Sequence, residues 1–86
     1  MTGTEKQIKW AEDIKASAIE AFDIMESNTQ RPYFNEYSLE AVKAIRAFAE
    51  PQILAMEDAA VIIKNRVRLT QRAFEERARM YDRKNK

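Results

Sequence analysis

The stretch PQILAMEDAAVIIKNRVRLTQRAFEERARMYDR (residues 51–83) decides the fold that we predict from this sequence. From Ile53 to Tyr81 a mainly apolar stripe, which includes Thr70 and Arg77, recurs at steps of three and four, the spacing of one face of an α-helix. No glycine or proline interrupts the stretch after Pro51. Because proline is favoured at the first position of a helix, the pattern predicts one long helix over 51–83.

Two shorter helices precede this stretch. Thr4 followed by Gln7 fits a capping box, and an apolar stripe runs on to Met25, so we predict a first helix over about 4–27. Ser38 is a good N-cap for a second helix. That helix is predicted over about 38–50, because Pro51 lacks an amide donor and disfavours a helical residue before it. The predicted class is therefore all-α, with three helices.

The predicted third helix is too long to be covered within one chain. At about 30 residues it would reach about 45 Å, whereas a first helix of about 22 residues reaches about 33 Å. We therefore expect a single domain over 1–86 whose residues 66–86 form a partly protruding, basic helical extension. Val67, Leu69 and Phe74 would be poorly shielded there. Burying one such side chain contributes roughly 1.5–3 kcal/mol, which favours a partner or self-pairing.

Charge is distributed unevenly along the chain. Residues 1–63 carry six basic and eleven acidic side chains, whereas residues 64–86 carry nine basic and three acidic ones. The net charge of +1 therefore hides an acidic body and a basic end. Two interpretations stay open: the two parts attract each other within the fold or across a dimer, or the basic end holds a partner.

The composition argues against catalysis. The sequence contains no cysteine and no histidine, which removes disulfides, thiolate nucleophiles, cysteine or histidine zinc ligands and imidazole acid–base chemistry. Adjacent acids occur at 12–13, 57–58 and 75–76, but neighbours on a helix point about 100° apart and do not clamp a metal ion. We expect no enzyme activity, no catalytic residue, no metal and no cofactor. With no membrane-length apolar run and no signal-peptide pattern, we expect a cytoplasmic protein that does not associate with membranes.

The candidate partner-binding residues lie on the basic end. Arginine suits bidentate contact with phosphate, but these arginines wrap around the predicted helix and acidic residues interrupt them. Nucleic-acid binding is therefore an alternative to protein binding. The candidates are Arg66, Arg68, Arg72, Phe74, Arg77, Arg79, Tyr81 and Arg83.

Aromatic residues outside this end have structural interpretations as well. Trp10 lies at the edge of the first stripe, where we favour core packing over a contact at the rim of a partner site. Tyr33, Phe34 and Tyr37 either plug the open end of the helical bundle or present an aromatic patch, and we favour the plug. Asn65 is either a surface residue or a polar position that fixes the register of a helix pair.

Two segments resemble a known group of proteins. The stretch GTEKQIKWAEDIK (3–15) resembles the opening of a family of small bacterial and phage proteins, and DAAVIIKNR (58–66) resembles their DAKxWIxNR segment. Ile62 stands where that family more usually has an aromatic residue. The resemblance implies an accessory protein of a phage or mobile element. It supplies no activity and no site residue.

Together these patterns predict a protein that acts by binding. We expect a non-enzymatic protein-interaction module of phage or mobile-element type, such as an inhibitor of a host defence protein (an anti-CRISPR-like role). One alternative is a small nucleic-acid-binding accessory protein that uses the arginine-rich C-terminal helix. Another is a structural homodimer whose C-terminal helices pair.

Overall fold

The computed structural model describes residues 2–85, and its helical segments account for most of them. They are α1 (Glu5–Asn28), α2 (Leu39–Ala55), α3 (Ala59–Lys64), a short 3-10 helix that we call the 3-10 turn (Arg66–Leu69), and α4 (Gln71–Lys84). The predicted all-α class is confirmed, since no β-strand forms within residues 2–85. The predicted number of three helices is too small.

The start of α1 follows the prediction. The Thr4 hydroxyl accepts a hydrogen bond from the Gln7 amide at 3.2 Å, and the Gln7 side chain accepts one from the Thr4 amide at 3.1 Å. This reciprocal capping box satisfies two amide hydrogens that have no partner inside the helix. The buried face of α1 then faces the core with Ala11, Ala18, Ala21, Phe22 and Met25.

The prediction of one helix over 51–83 is wrong, because capping residues interrupt the apolar pattern twice. The Asp58 carboxylate accepts a hydrogen bond from the Ala60 amide at 3.0 Å and begins α3. The Thr70 hydroxyl accepts one from the Ala73 amide at 3.3 Å and begins α4. In both places a side-chain oxygen takes the amide hydrogen that a continuous helix would give to a carbonyl, so the chain can turn.

The second helix also ends later than predicted. Pro51 lies inside α2, which continues to Ala55 instead of ending near residue 50. Proline in a helix interior costs about 3 kcal/mol. Ile53, which is 2% exposed, is buried by the extra turn, and such burial contributes roughly 1.5–3 kcal/mol. The Lys15 ammonium donates to the Leu54 carbonyl at 3.1 Å and satisfies an acceptor at the end of the helix.

The first residues of the chain close the junction between α2 and α3. The Thr2 amide donates to the Glu57 carbonyl at 2.7 Å, and the Ala59 amide donates to the Thr2 carbonyl at 2.9 Å. Gly3 follows with φ of 136°, a conformation that favours glycine. A Cβ atom at that position would lie 2.9 Å from the Ala59 Cβ, so the close approach also requires glycine.

The predicted protrusion of the C-terminal helix is wrong as well. α4 packs against α1 and α2, and Phe74 and Ala78 are fully buried. The Phe74 ring stacks on Phe22 with 4.4 Å between centroids. The turns at residues 56–58 and 65–70 reverse the chain, so the described part of the expected extension over 66–86 lies beside the body instead of extending away from it.

Polar contacts fasten α4 and α2 to their neighbours. The Asp82 carboxylate accepts hydrogen bonds from the backbone amide and the hydroxyl of Ser38, both at 2.7 Å, and so ties the end of α4 to the start of α2. A second set of polar contacts joins α2 to α1. Arg46 of α2 pairs with Asp23 of α1 at 2.8 Å and with Glu50 of α2. These carboxylates, Glu50 first, raise the pKa of Arg46 above its usual range.

Candidate partner-binding surface

The eight predicted partner-binding residues do not form one surface. Phe74 is fully buried, so it is not available to a partner in this conformation. Tyr81 is partly buried and packs against the core. The six arginines are distributed over different faces of the molecule: Arg66 lines one depression, Arg68 and Arg77 a second, and Arg79 and Arg83 a third. Arg72 is exposed and lines none of the three.

An apolar groove runs between α1 and the 3-10 turn, and we call it the α1 groove. Three large apolar side chains on it are exposed: Trp10 to 48%, Ile24 to 40% and Val67 to 73%. The groove has a volume of about 760 Å³, and Leu69 lies in its base. It is open to solvent and large enough to receive side chains of another molecule.

Trp10 occupies the rim of this groove instead of the core. The Arg66 guanidinium lies 5.4 Å from the centre of the indole ring, a cation–π contact worth about 0.5–1 kcal/mol at an exposed site. Arg66 also donates to the Ile63 carbonyl at 2.8 Å, which holds the guanidinium in place. The interpretation of Trp10 as a core residue is wrong. Its alternative, a place at the rim of a binding site, agrees with its exposure.

The two sides of the α1 groove differ in charge. Asp13 and Glu20 line it from α1, and Arg66 lines it from the 3-10 turn. The cationic side is engaged with Trp10, whereas no ion pair within residues 2–85 involves Asp13 or Glu20. The side formed by α1 is therefore acidic, which favours a partner whose apolar residues are flanked by basic ones.

A second groove lies between α2 and α4, and we call it the α2–α4 groove. It consists of two adjoining depressions of about 280 and 470 Å³ that share Phe48, Ala49, Gln52 and Arg77. Phe48 is 72% exposed, although its spacing of three residues from Ile45 is typical of one apolar helical face. Sequence reasoning missed this residue, because α4 covers only part of that face.

The 3-10 turn separates the two grooves. Val67 lines the α1 groove, and Arg68 lines the α2–α4 groove. Leu69 lines both and is buried beneath them, at 9% exposed. Successive side chains of one four-residue segment therefore serve two different surfaces.

A polar cleft lies at the end of the molecule formed by residues 34–38 and the last turns of α4. It has a volume of about 960 Å³, and Arg79 and Arg83 line it. Arg79 pairs with Glu36 at 3.2 Å, and the Tyr37 hydroxyl donates to the Glu75 carboxylate at 2.8 Å. Because most of these groups satisfy one another, we interpret the cleft as a structural feature.

The three aromatic residues of this loop have different positions. Tyr37 is buried, and Phe34 packs edge to face on it with 4.8 Å between ring centroids. Tyr33 is fully exposed and has a φ of 66°. The prediction that all three plug the end of the bundle is therefore wrong for Tyr33 and correct for the other two.

Tyr37 makes the stability of the protein depend on pH in alkaline solution. Burial, followed by its hydrogen bond with Glu75, raises the pKa of Tyr37 to about 12 from its ordinary value of 10.0. A raised pKa favours the protonated hydroxyl in the folded state. Its contribution is therefore fully present below about pH 10 and is lost as the pH rises through about 12.

We expect the free energy of unfolding of the wild-type protein to fall by about 1–2 kcal/mol more than that of Tyr37→Phe between about pH 9 and pH 11.5. Urea titrations at both pH values measure this difference. Tyr37→Phe is a matched control, because it removes only the hydroxyl of residue 37 and keeps the buried ring. Equal falls in the two proteins would contradict the assignment.

Within residues 2–85, no group of three or more acidic, histidine or cysteine side chains is placed to hold a metal ion. Of the helices in the same range, none is both long enough and apolar enough to cross a membrane.

No protein-family model, curated protein or solved structure matches the chain.

Proposed function

We propose that this protein is a non-enzymatic interaction module whose α1 groove binds an amphipathic helix of a protein partner. The observation that carries the proposal is the exposure of Trp10, Ile24 and Val67 around one groove. The protein buries Phe22 and Phe74 completely. It therefore has a well-covered core and still keeps these three apolar side chains at the surface.

The three side chains fit the way in which helices bind in grooves. An amphipathic helix places apolar residues at steps of three and four, and these enter a groove as anchors. Tryptophan is enriched among the residues that contribute most to binding energy at protein interfaces. Trp10 is held by Arg66, so little side-chain freedom is lost when a partner covers it.

The charges that line the groove restrict the class of partner helix that it can bind. The side of the groove formed by α1 carries Asp13 and Glu20, so a helix with lysine or arginine beside its apolar residues is favoured. Such charges mainly increase the association rate and select the orientation of the partner. A partner with acidic flanks would be repelled from the same side.

Trp10 is the single tryptophan of the chain and provides the measurement. The full chain is titrated with a synthetic 18-residue helix that carries leucine on one face and lysine along its edges. We expect a saturable blue shift of tryptophan emission at peptide concentrations below about 1 mM, because the indole leaves water. Val67→Glu should weaken binding by about tenfold or more, since it places a charge in the apolar contact.

Leu54→Glu is the matched control. Leu54 is 57% exposed on α2 and lines neither groove, so this variant should bind like the wild-type chain. The same helix with glutamate in place of lysine should bind less tightly to the α1 groove, as measured by Trp10 emission. The proposal fails if emission does not change up to about 1 mM peptide, or if Val67→Glu and Leu54→Glu behave alike.

A narrower form of the proposal names the kind of partner. The resemblance of residues 3–15 to phage proteins supports an inhibitor of a host defence protein, such as a CRISPR effector. In this form the α1 groove would cover a helix of the effector. Interference assays with the wild-type chain and with Val67→Glu distinguish inhibition through the groove from an effect that does not need it.

The alternatives have less support from the geometry. The arginines expected to hold nucleic acid lie on separate faces, and Arg79 is paired with Glu36. Self-pairing of the last helices was expected mainly from unshielded apolar residues. Phe74 and Leu69 are buried within the same chain, which removes most of that reason.

A further inference from the structure

The α2–α4 groove has a chemical character different from that of the α1 groove. Phe48, 72% exposed, projects from α2, and the aliphatic side chains Ala44 and Ile45 extend the same side. Arg68 and Arg77 line the side formed by the 3-10 turn and α4. No aspartate or glutamate lines either depression, within the residues that the structure describes.

The two arginines of this groove, unlike Arg46 and Arg79, have no acidic partner within residues 2–85. Arg46 and Arg79 form ion pairs, whereas no ion pair among residues 2–85 involves Arg68 or Arg77. Arg77 is instead held over the Phe74 ring, 5.9 Å from its centre. A guanidinium placed in this way on an apolar surface is ready to form a bidentate pair with a carboxylate.

We infer that the α2–α4 groove binds an acidic segment of a protein, in which a carboxylate pairs with Arg77 and a neighbouring apolar side chain covers Phe48. Charge complementarity carries this assignment, since the groove offers guanidinium groups and, among residues 2–85, no carboxylate. The site goes beyond the proposed function: it lies across the 3-10 turn from the α1 groove and selects the opposite charge.

The same observations favour a protein segment over a nucleic acid. A nucleic acid needs a row of cations that follows its phosphates and, when single-stranded, aromatic side chains for successive bases. Among residues 2–85, this groove has two arginines, and Phe48 is its one exposed large apolar residue. Its aliphatic side suits leucine or a similar side chain better than a sugar–phosphate backbone.

The test is a titration of the isotope-labelled full chain, followed by amide chemical shifts. The probe is a 16-residue synthetic helix with leucine on one face and glutamate along its edges. We expect the amide chemical shifts of residues near 48 and 77 to change and to reach saturation at peptide concentrations below about 1 mM. The same peptide with glutamine in place of glutamate should bind about tenfold less tightly or worse, because the charge-assisted pairs are lost.

Two matched pairs of variants locate the site. Arg77→Gln and Phe48→Ala should each weaken binding of the glutamate peptide by about tenfold or more. Arg72→Gln is the control for Arg77→Gln, because Arg72 is an exposed arginine of α4 outside the groove. Leu54→Ala is the control for Phe48→Ala, because Leu54 is an exposed apolar residue of α2 outside the groove. Both controls should bind the glutamate peptide with an affinity within about twofold of the wild type. All four substitutions change exposed residues, and circular dichroism verifies their folding.

Several outcomes would overturn the inference. One is that the glutamate peptide does not bind up to about 1 mM. Another is that the glutamine peptide binds as tightly as the glutamate peptide. A third is that Arg77→Gln binds the glutamate peptide as tightly as the wild type does. Tighter binding of a twelve-residue oligothymidylate at the same residues would assign the groove to nucleic acid instead. Val67→Glu changes the α1 groove and should leave the affinity for the glutamate peptide unchanged. Failure of the inference about the α2–α4 groove is therefore distinguishable from failure of the proposal about the α1 groove.

Discussion

Truncation of the chain after Asn65 is expected to abolish cooperative unfolding. The cut removes Leu69, Phe74 and Ala78 from the core and leaves the Phe22 ring without its stacking partner. A chain of about 65 residues is already near the lower limit at which one core is sufficient. Thermal unfolding followed by circular dichroism should change from a sigmoidal transition to a gradual loss of helix.

The matched control is a cut after Lys84, the last residue of α4. This shorter truncation keeps the buried residues of α4 and the Asp82 carboxylate that binds Ser38. It should unfold cooperatively within a few degrees of the full chain. If the chain cut after Asn65 also unfolds cooperatively, the last helix is not part of the core, and the fold described above would have to be revised.

Replacement of Phe74 by alanine is expected to lower the free energy of unfolding by about 3–5 kcal/mol. The Phe74 ring is fully buried and stacks on Phe22, so the change both removes apolar contacts and leaves a cavity. A loss of this size approaches the whole stability of many small domains. Urea unfolding measures it, with the folded fraction at zero denaturant as a second measurement.

Phe48→Ala is the matched control for this substitution. The residue type is the same, but Phe48 is 72% exposed and its removal leaves no internal cavity. Its cost should therefore stay below about 1 kcal/mol. Equal costs at the two positions would contradict the packing of α4, whereas the expected contrast would also show that Phe48 is free to serve a partner.

Local signals in the sequence predicted the beginnings of α1 and α2 well. Thr4 and Gln7 form the predicted capping box, and the Ser38 hydroxyl accepts from the Ala41 amide at 3.1 Å as an N-cap should. The contacts involved are only three residues apart in the chain. Such contacts depend little on the remainder of the fold, which is why a pattern of residue types is sufficient to predict them.

The two breaks in the long apolar pattern have weaker sequence signals than the beginnings of α1 and α2. Asp58 and Thr70 are good N-cap residues, but each also suits a helix surface. Asn65 lies partly exposed at the end of α3, where its side-chain amide donates to the Val61 carbonyl at 2.8 Å. Tertiary packing decides such cases: the backbone turns where a second layer of helices can bury Phe74.

The candidate site was predictable only in part. Phe48 and Phe74 both stand on apolar helical faces, and no periodicity distinguishes the exposed one from the buried one. The position of Trp10 at the edge of an apolar stripe favours core packing and is also compatible with the rim of a binding site, where the structure has it 48% exposed. Arg77 was selected for its charge, but its place beside Phe48 follows from the packing of α4 on α2, which brings together residues that are distant in sequence.

The bonds that hold the two ends of the chain also constrain the order in which the protein folds. Thr2 bonds to Glu57, which is 55 positions away, and Ser38 bonds to Asp82 across 44 positions. Contacts of such high sequence separation slow folding relative to bundles with local contacts, because long loops must close first. A nascent chain on the ribosome therefore cannot complete this domain helix by helix, and closure has to wait until α4 has emerged.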